Sequence, residues 1–476
     1  MKHHTTAAKD MVPIGQKMAF GAGHLVLNLL PGALGIFMFF LLTAFGMDPF
    51  LAGLLGGLPR IFDAITDPIM GFISDNTKSR WGRRRPYIFI GAILSGIFFI
   101  VLWQLDPEDS VNYNFWYFLI MSMVFLIGNT MFATPLIGLG YEMTSDYNER
   151  TRLMAFSQTI GQIAWMIVPW FWVLIADPDL FESQAVGVRK LSIIVGAICL
   201  LLGLLPAIFC KGMDSSHMEN RKKITFKTMF SNLKDLFDGI VQVSKNKPFM
   251  RLCGATFLVF NGFQLVASFS YFIIVFYMFN GDYGAAGNYP AWFSTITAVV
   301  TAFAVIPIIS WMANKYGKKN AFIISTVISI IGYILKWWGF NPESPLLIFM
   351  PIPLMAFGLG GLFTLMMSMT ADVCDLDELR NGMPRKEGTF GAIYWWMVKL
   401  GQALALVLGG LVLKVVGFDQ NAAVQTAETM TNLRIADIVI PALTAGIAIW
   451  IMWNYSLNEE RAREIKKELV ERRGEL

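Results

Sequence analysis

Long apolar stretches separated by short polar breaks repeat along the whole chain. A helix that crosses a bilayer needs roughly 20 apolar residues, and twelve segments meet that need. The first six are 18–46, 50–73, 87–105, 115–143, 153–176 and 190–210. The second six are 250–280, 289–313, 321–340, 347–371, 388–417 and 432–456. The stretches are continuously apolar and lack the two-residue alternation of barrel strands, so they predict spanning helices. The pattern describes an all-α polytopic membrane protein.

Composition sharpens this picture. Of 476 residues, 55% are hydrophobic and 15% charged, against about 25% charged in a typical soluble chain. Mean hydropathy is +0.54. A soluble protein of this length needs more polar surface than that, and a disordered one far less apolar content. Net charge is only +4, so nothing points to a nucleic-acid partner. Cys199, Cys210, Cys253 and Cys374 form no CxxC pair and read as small packing residues rather than a disulfide framework or zinc site.

The placement of the basic residues sets the orientation. One alternate set of loops holds Lys78, Arg80, Arg83, Arg84 and Arg85; Arg150 and Arg152; the segment 211–249; Lys315, Lys318 and Lys319; and Arg380, Arg385 and Lys386. The other set (47–49, 106–114, 177–188, 281–288, 341–346 and 418–431) holds no Lys or Arg. Both termini and the long loop are therefore expected in the cytoplasm, in a multi-pass protein of the cell's inner membrane. The N-terminus carries no signal-peptide pattern. Five parts follow: an N-terminal segment 1–17, a six-helix bundle 18–210, a middle loop 211–249, a second six-helix bundle 250–456 and a charged tail 457–476. Part of the middle loop, near 226–245, reads as an amphipathic surface helix, and the tail as a mostly solvated helix. The loop GFISDNTKSRWGRRRP after the second span is echoed by WMANKYGKKN after the eighth, equivalent places in two halves. Twelve helices in two six-helix halves with paired loops indicate a major facilitator fold.

Candidate chemistry concentrates in the second span. Asp63 and Asp67 are four apart, hence on one helix face, and Thr66 lies close to that face. An intramembrane carboxylate costs about 2.5–3.5 kcal/mol on insertion scales, so two together require either a buried base, such as Arg60 one turn earlier, or a bound cation. Two carboxylates and a hydroxyl are hard oxygen ligands suited to Na⁺, and a carboxylate can alternatively take H⁺. Pro68 can free a carbonyl nearby. Lys399, in the eleventh span, is a buried base that needs an anion. Asp75, Arg80, Arg84, Asp372, Asp375, Arg385 and Glu387 lie at the cytoplasmic span ends and are candidates for a charge latch. His24, Asn28, Thr130, Thr134, Gln158, Gln162, Asn261, Gln264, Trp395 and Trp396 are polar or aromatic side chains within spans. Hydroxylated solutes are bound by directed hydrogen bonds and aromatic stacking, although a lone amide also serves as interhelical glue. There is no P-loop, HExxH or GxSxG pattern, so no enzyme and no organic cofactor are expected. Uphill movement would draw on an ion gradient.

RIFDAITDPIMGFISDNTKSRWGRRRPYI resembles the signature of the glycoside–pentoside–hexuronide:cation symporters, the melibiose-permease type of major facilitator. DYNERTRLMAFSQTIG, ADVCDLDEL and RKEGTFGAIYWWMVKLGQAL resemble that family's later motifs, in order over roughly 17–456. The resemblance implies a cation site at Asp63, Thr66 and Asp67, with Thr130 linked to it and Lys399 near it. It also shows a departure. Positions where galactoside-binding members carry two carboxylates and an arginine are Leu25, Ala133 and Gln158 here. A galactoside is therefore not the expected substrate, whereas another sugar, glycoside or sugar acid remains in view. The expected function is cation-coupled sugar symport by a monomer in contact with membrane lipid, with Na⁺ or H⁺ as coupling ion. A carrier of an amphiphile such as a lysolipid and a non-transporting membrane sensor are the alternatives.

Overall fold

The computed structural model describes residues 11–144, 147–212, 224, 225, 227, 228, 231, 234, 238, 241, 244–381 and 387–473. It divides into two compact units, residues 1–234 and 235–476. Among the described residues there is no strand.

The first unit holds six long helices: α1 (Ile14–Thr43), α2 (Pro49–Asn76), α3 (Arg85–Leu102), α4 (Val111–Glu142), α5 (Tyr147–Ala176) and α6 (Gln184–Phe209). Their starts follow from local chemistry. Asp48 accepts from the Phe50 and Leu51 amides at 2.9 and 3.4 Å, with Pro49 as the first helical residue. Ser110 and Ser183 cap α4 and α6 in the same way. Each cap satisfies amides that a helix start leaves open.

In the second unit, α7 (Lys247–Phe272) continues as a π-helical turn, Ile273–Met278. Next come α8 (Tyr289–Val300) and α9 (Ile306–Tyr316), joined by a π-helical segment, Thr301–Val305. They are followed by α10 (Lys318–Gly339), α11 (Ile352–Asn381), α12 (Glu387–Val415), α13 (Ala427–Trp453) and α14 (Glu459–Arg473). Eleven helical segments among the described residues are long and apolar enough to cross a membrane. Besides the 15-residue tail helix α14, the helix outside that group is α2, whose 28 residues include Arg60, Asp63 and Asp67. Its polarity is the chemistry of the site described below.

The two units repeat one packing device. A Cβ on Gly91 of α3 would come within 2.4 Å of the Phe132 amide nitrogen on α4. In the second unit a Cβ on Gly332 of α10 would come within 2.5 Å of the Met355 amide nitrogen on α11. Without a hydrophobic drive between helices in lipid, such close backbone approach supplies the packing.

The tail differs from expectation. It is helical as α14, but it is not simply solvated. Ile465 is fully buried and Leu469 nearly so, both within the apolar core of the second unit beside Val373, Leu376 and Tyr455. Lys319 donates to the carbonyls of Trp453 (2.7 Å) and Tyr455 (3.3 Å), and Arg251 to that of Asn454. These bonds fix the chain as it leaves α13. The charged residues mask an apolar seam of only two or three positions, too narrow to stand out in the sequence. The expected middle-loop helix falls largely outside the described residues.

Candidate functional site

With about 3.6 residues per turn, the four-residue spacing brings Asp63 and Asp67 to the same side of α2, and that side meets α4. Asp63 is 3% exposed, Asp67 half-buried. The Thr130 hydroxyl on α4 lies 2.8 Å from Asp63 Oδ1 and 3.2 Å from Asp67 Oδ1. Thr134, one turn further along α4, donates to Asp67 Oδ1 at 3.4 Å. Thr66 donates to the Asp63 carbonyl at 3.2 Å and lies 3.3 Å from the Thr130 hydroxyl. The structure thus regroups Thr134, read from sequence as a substrate residue, with the carboxylates. Arg60 interacts electrostatically with both acids. Pro68 has no amide hydrogen, which leaves the Ala64 carbonyl without its helical donor.

This is a cluster of oxygens with few protons. Thr130 owns one hydroxyl hydrogen and cannot donate fully to both carboxylates. Two carboxylates beside the single charge of Arg60 leave the group net negative, which a further cation or a proton offsets. The donor set, two carboxylates and three hydroxyls, suits a hard monovalent cation or a proton.

The other α1 and α5 candidates form a second group in the first unit. Asn28 donates to the His24 carbonyl at 2.8 Å and accepts from Trp165 Nε1 at 3.0 Å. Gly161 leaves room for this, since a Cβ there would lie 2.8 Å from the Asn28 amide nitrogen. His24 is buried edge-to-face on Phe20, and neither ring nitrogen has a hydrogen-bond partner among the described residues. Gln162 is exposed, and the Gln158 side chain lies outside the described residues.

In the second unit, Asn261 is buried and donates to the Gly401 carbonyl at 3.0 Å, which ties α7 to α12. It acts as interhelical glue rather than as an open binding group. Gln264 is half-buried. Lys399 is half-buried in the middle of α12, with Trp395 one turn before it. Trp395 is 45% exposed and stacked on Phe363 at 6.3 Å between centroids, and Trp396 is half-buried.

The charge-latch residues sort into two bridges. Arg84 reaches Asp75 at 2.7 Å and Glu142, at the end of α4, at 2.6 Å. Arg83 also holds Glu142, at 2.5 Å. Arg80, expected in this group, is exposed, and Arg83 and Glu142 make the bridge. Lys318 pairs with Asp372 at 2.6 Å. The second bridge resembles the first: a base at the start of one helix (Arg84 at α3, Lys318 at α10) holds an acid on the next (Glu142 of α4, Asp372 of α11). Asp375 is half-buried in α11. Arg385 and the Glu387 side chain lie outside the described residues.

Sequence reasoning missed one charged group. Lys336 of α10 and Asp437 of α13 form a fully buried ion pair, with Arg434 of α13 nearby. Its signal was the one that singled out Lys399, a charge inside a predicted span.

The chain resembles known transporters over nearly its whole length. It is 26% identical over 441 residues to the "Glucuronide carrier protein homolog" of Escherichia coli (strain K12), covering 90% of this chain and 89% of that one. It is 22% identical over 477 residues to the "Isoprimeverose transporter" of Lactiplantibacillus pentosus, covering 96% and 94%. It is 23% identical over 501 residues to the "Sodium-dependent lysophosphatidylcholine symporter 1" of Xenopus tropicalis, covering 97% and 91%. Among solved structures, a bacterial homolog of the human lysosomal transporter Spinster superposes with a TM-score of 0.68 at 15% identity, covering 95% and 97%. The D-xylose-proton symporter gives a TM-score of 0.62 at 17% identity, covering 93% and 97%. The fold is that of the major facilitators. A family model described as "MFS/sugar transport protein" matches residues 19–459, and the chain is a multi-pass membrane protein belonging to that family.

Proposed function

We propose that the protein is a cation-coupled symporter of a sugar or glycoside, working by alternating access. The observation that carries this reading is the Thr130 hydroxyl held against both Asp63 and Asp67, two carboxylates that stand against one arginine, Arg60. The cation, Na⁺ or H⁺, joins Asp63, Asp67, Thr66, Thr130 and Thr134 and cancels their repulsion. Candidates for solute contact are His24, Asn28 and Trp165 within the first unit and, separately, Lys399 and Trp395 within the second. The Arg84–Glu142 and Lys318–Asp372 bridges act as cytoplasmic latches, with both termini in the cytoplasm and the monomer in the inner membrane. Relatives named for an isoprimeverose and a glucuronide carrier support a glycoside or sugar-acid solute. Cation and sugar then favour each other's binding by reciprocal linkage.

One relative is named as a lysophosphatidylcholine symporter, so an amphiphile carrier is the second reading. A thermal-shift panel on the purified protein separates the two. Mono- and disaccharides, glycosides, uronic acids and lysolipids are compared with and without Na⁺. A ligand binding only the folded state adds about 2.7 kcal/mol at a hundredfold excess over Kd. A sugar hit strengthened by Na⁺ supports the first reading. Stabilisation by lysolipids alone supports the second.

A further inference from the structure

Trp165 of α5 is a large aromatic side chain inside a span, yet it is 42% exposed. Its neighbours on the helix are polar. With about 3.6 residues per turn, Gln162 and Trp165 share one edge of α5, and Ile163, Ile167 and Leu174 lie roughly 150° around the helix from it. All five are exposed. An exposed edge of isoleucine and leucine suits lipid, whereas an amide there is costly. The Gln162 and Trp165 edge is therefore the one suited to water and solute.

The ring on this edge is held in place. Asn28 of α1 accepts from Trp165 Nε1 at 3.0 Å and donates to the His24 carbonyl, one turn earlier on its own helix, at 2.8 Å. The second bond ties the amide to α1, so the first sets the indole relative to α1. A Cβ on Gly161 would lie 2.8 Å from Asn28 Nδ2, so the glycine leaves the amide its place. With its N–H used, the indole offers a solute its π face, which takes the C–H side of a sugar ring by stacking. It offers no ion pair. Residues 18–43 and 153–176 contain no Asp, Glu, Lys or Arg, and His24, the one titratable residue among them, is buried against Phe20. A closed ring presents a fixed apolar side, whereas an open-chain polyol has to be ordered first.

We propose that Trp165 is a stacking platform for the ring of an uncharged pyranoside, and that Asn28 is a positioning residue that fixes this platform. The proposal rests on the sugar-symport reading and narrows its substrate class. The test is a thermal-shift titration of the purified full-length protein. The probes are the methyl pyranosides of glucose, mannose and xylose, glucitol as an open-chain polyol, glucuronic acid and lysophosphatidylcholine. A methyl pyranoside is expected to bind and glucitol not to. Trp165→Leu is expected to weaken that pyranoside roughly 2- to 12-fold, the usual strength of an aromatic contact, and Trp165→Phe, which keeps a ring, to weaken it less. Asn28→Ala is expected to weaken binding when Trp165 is present but not in Trp165→Phe, where no indole N–H needs its acceptor. A merely structural role for Asn28 would act in both backgrounds. Equal pyranoside binding by the wild type and Trp165→Leu overturns the platform and leaves the sugar reading standing, and equal binding of glucitol overturns the ring-face argument in the same way. Equal weakening by Asn28→Ala in both backgrounds overturns the positioning role. Binding of glucuronic acid with no pyranoside overturns the uncharged class alone, as does binding of no probe. Binding of lysophosphatidylcholine alone overturns the proposal and the sugar reading together.

Discussion

The Thr130 hydroxyl on α4 donates to Asp63 Oδ1 on α2 over 2.8 Å while lying 3.2 Å from Asp67 Oδ1. One hydrogen thus faces two carboxylates, and the position of α4 is tied to the charge state of α2. On the proposed function, a cation entering this cluster would change both at once, a local route from ion binding to helix position.

Thr130→Val removes the hydroxyl but keeps the shape. A hydrogen bond to a charged group contributes about 1.5–3 kcal/mol, so sodium affinity, measured as the salt dependence of the melting temperature, is expected to fall roughly 10- to 150-fold. Thr130→Ser should restore most of it. Unchanged affinity in the valine variant would remove Thr130 from the site.

The Arg84–Glu142 bridge depends on a glycine. A Cβ on Gly138 would lie 1.8 Å from Arg84 Nη1, so Gly138→Ala has to displace the guanidinium. Overpacking of this kind costs about 1–3 kcal/mol. A lowered melting temperature is expected, with a smaller further loss when Glu142→Gln is added than that substitution causes alone, because only the Arg83 contact with Glu142 is then left to break. Fully additive losses in the double variant would contradict this.

The docked tail is checked by Ile465→Ala. Burial of Ile465 is complete, and truncating a buried isoleucine costs about 2–5 kcal/mol. Glu468→Gln, at a 48%-exposed side chain on the same helix, should stay within about 0.5 kcal/mol. Equal melting of both variants and the wild type would return α14 to the status of a solvated end.

Cys210, just beyond α6, has its thiol pushed up from 9.0 to about 12 by burial, partly opposed by Arg85. The folded thiol therefore keeps its proton where the unfolded one loses it. Its contribution to stability is present below about pH 9 and is lost as pH rises towards 12. Iodoacetamide at pH 8 should label Cys210 only after denaturation, and rapid labelling of the folded protein would count against its burial.

Much of this was legible in the sequence, and the reasons are physical. Spanning helices announce themselves because lipid admits only long apolar helices, so the segments around α1 to α13 could be read directly. Asp63 and Asp67 were legible because a carboxylate in a span is costly and a four-residue spacing fixes a shared face. Thr134 was seen but misgrouped, since its neighbour Asp67 lies on another helix and no spacing encodes that. Asn261 looked like an open amide until its donation to Gly401 was seen. Arg83 and Glu142 were hidden by a choice among three adjacent arginines that only the geometry settles. Lys336, Arg434 and Asp437 went unread because each sits near the end of a span, where a charge can pass for part of a loop.

The central claim is that ion binding at Asp63 and Asp67 drives solute entry. Its most direct test is sugar uptake into liposomes holding purified wild-type protein or Asp63→Asn, under an imposed Na⁺ or H⁺ gradient. The solute is the best hit of the thermal-shift panel. Wild-type uptake is expected to rise with one of the two gradients, and Asp63→Asn, still folded by its melting curve, to lose that dependence. Full gradient dependence in Asp63→Asn would contradict the account.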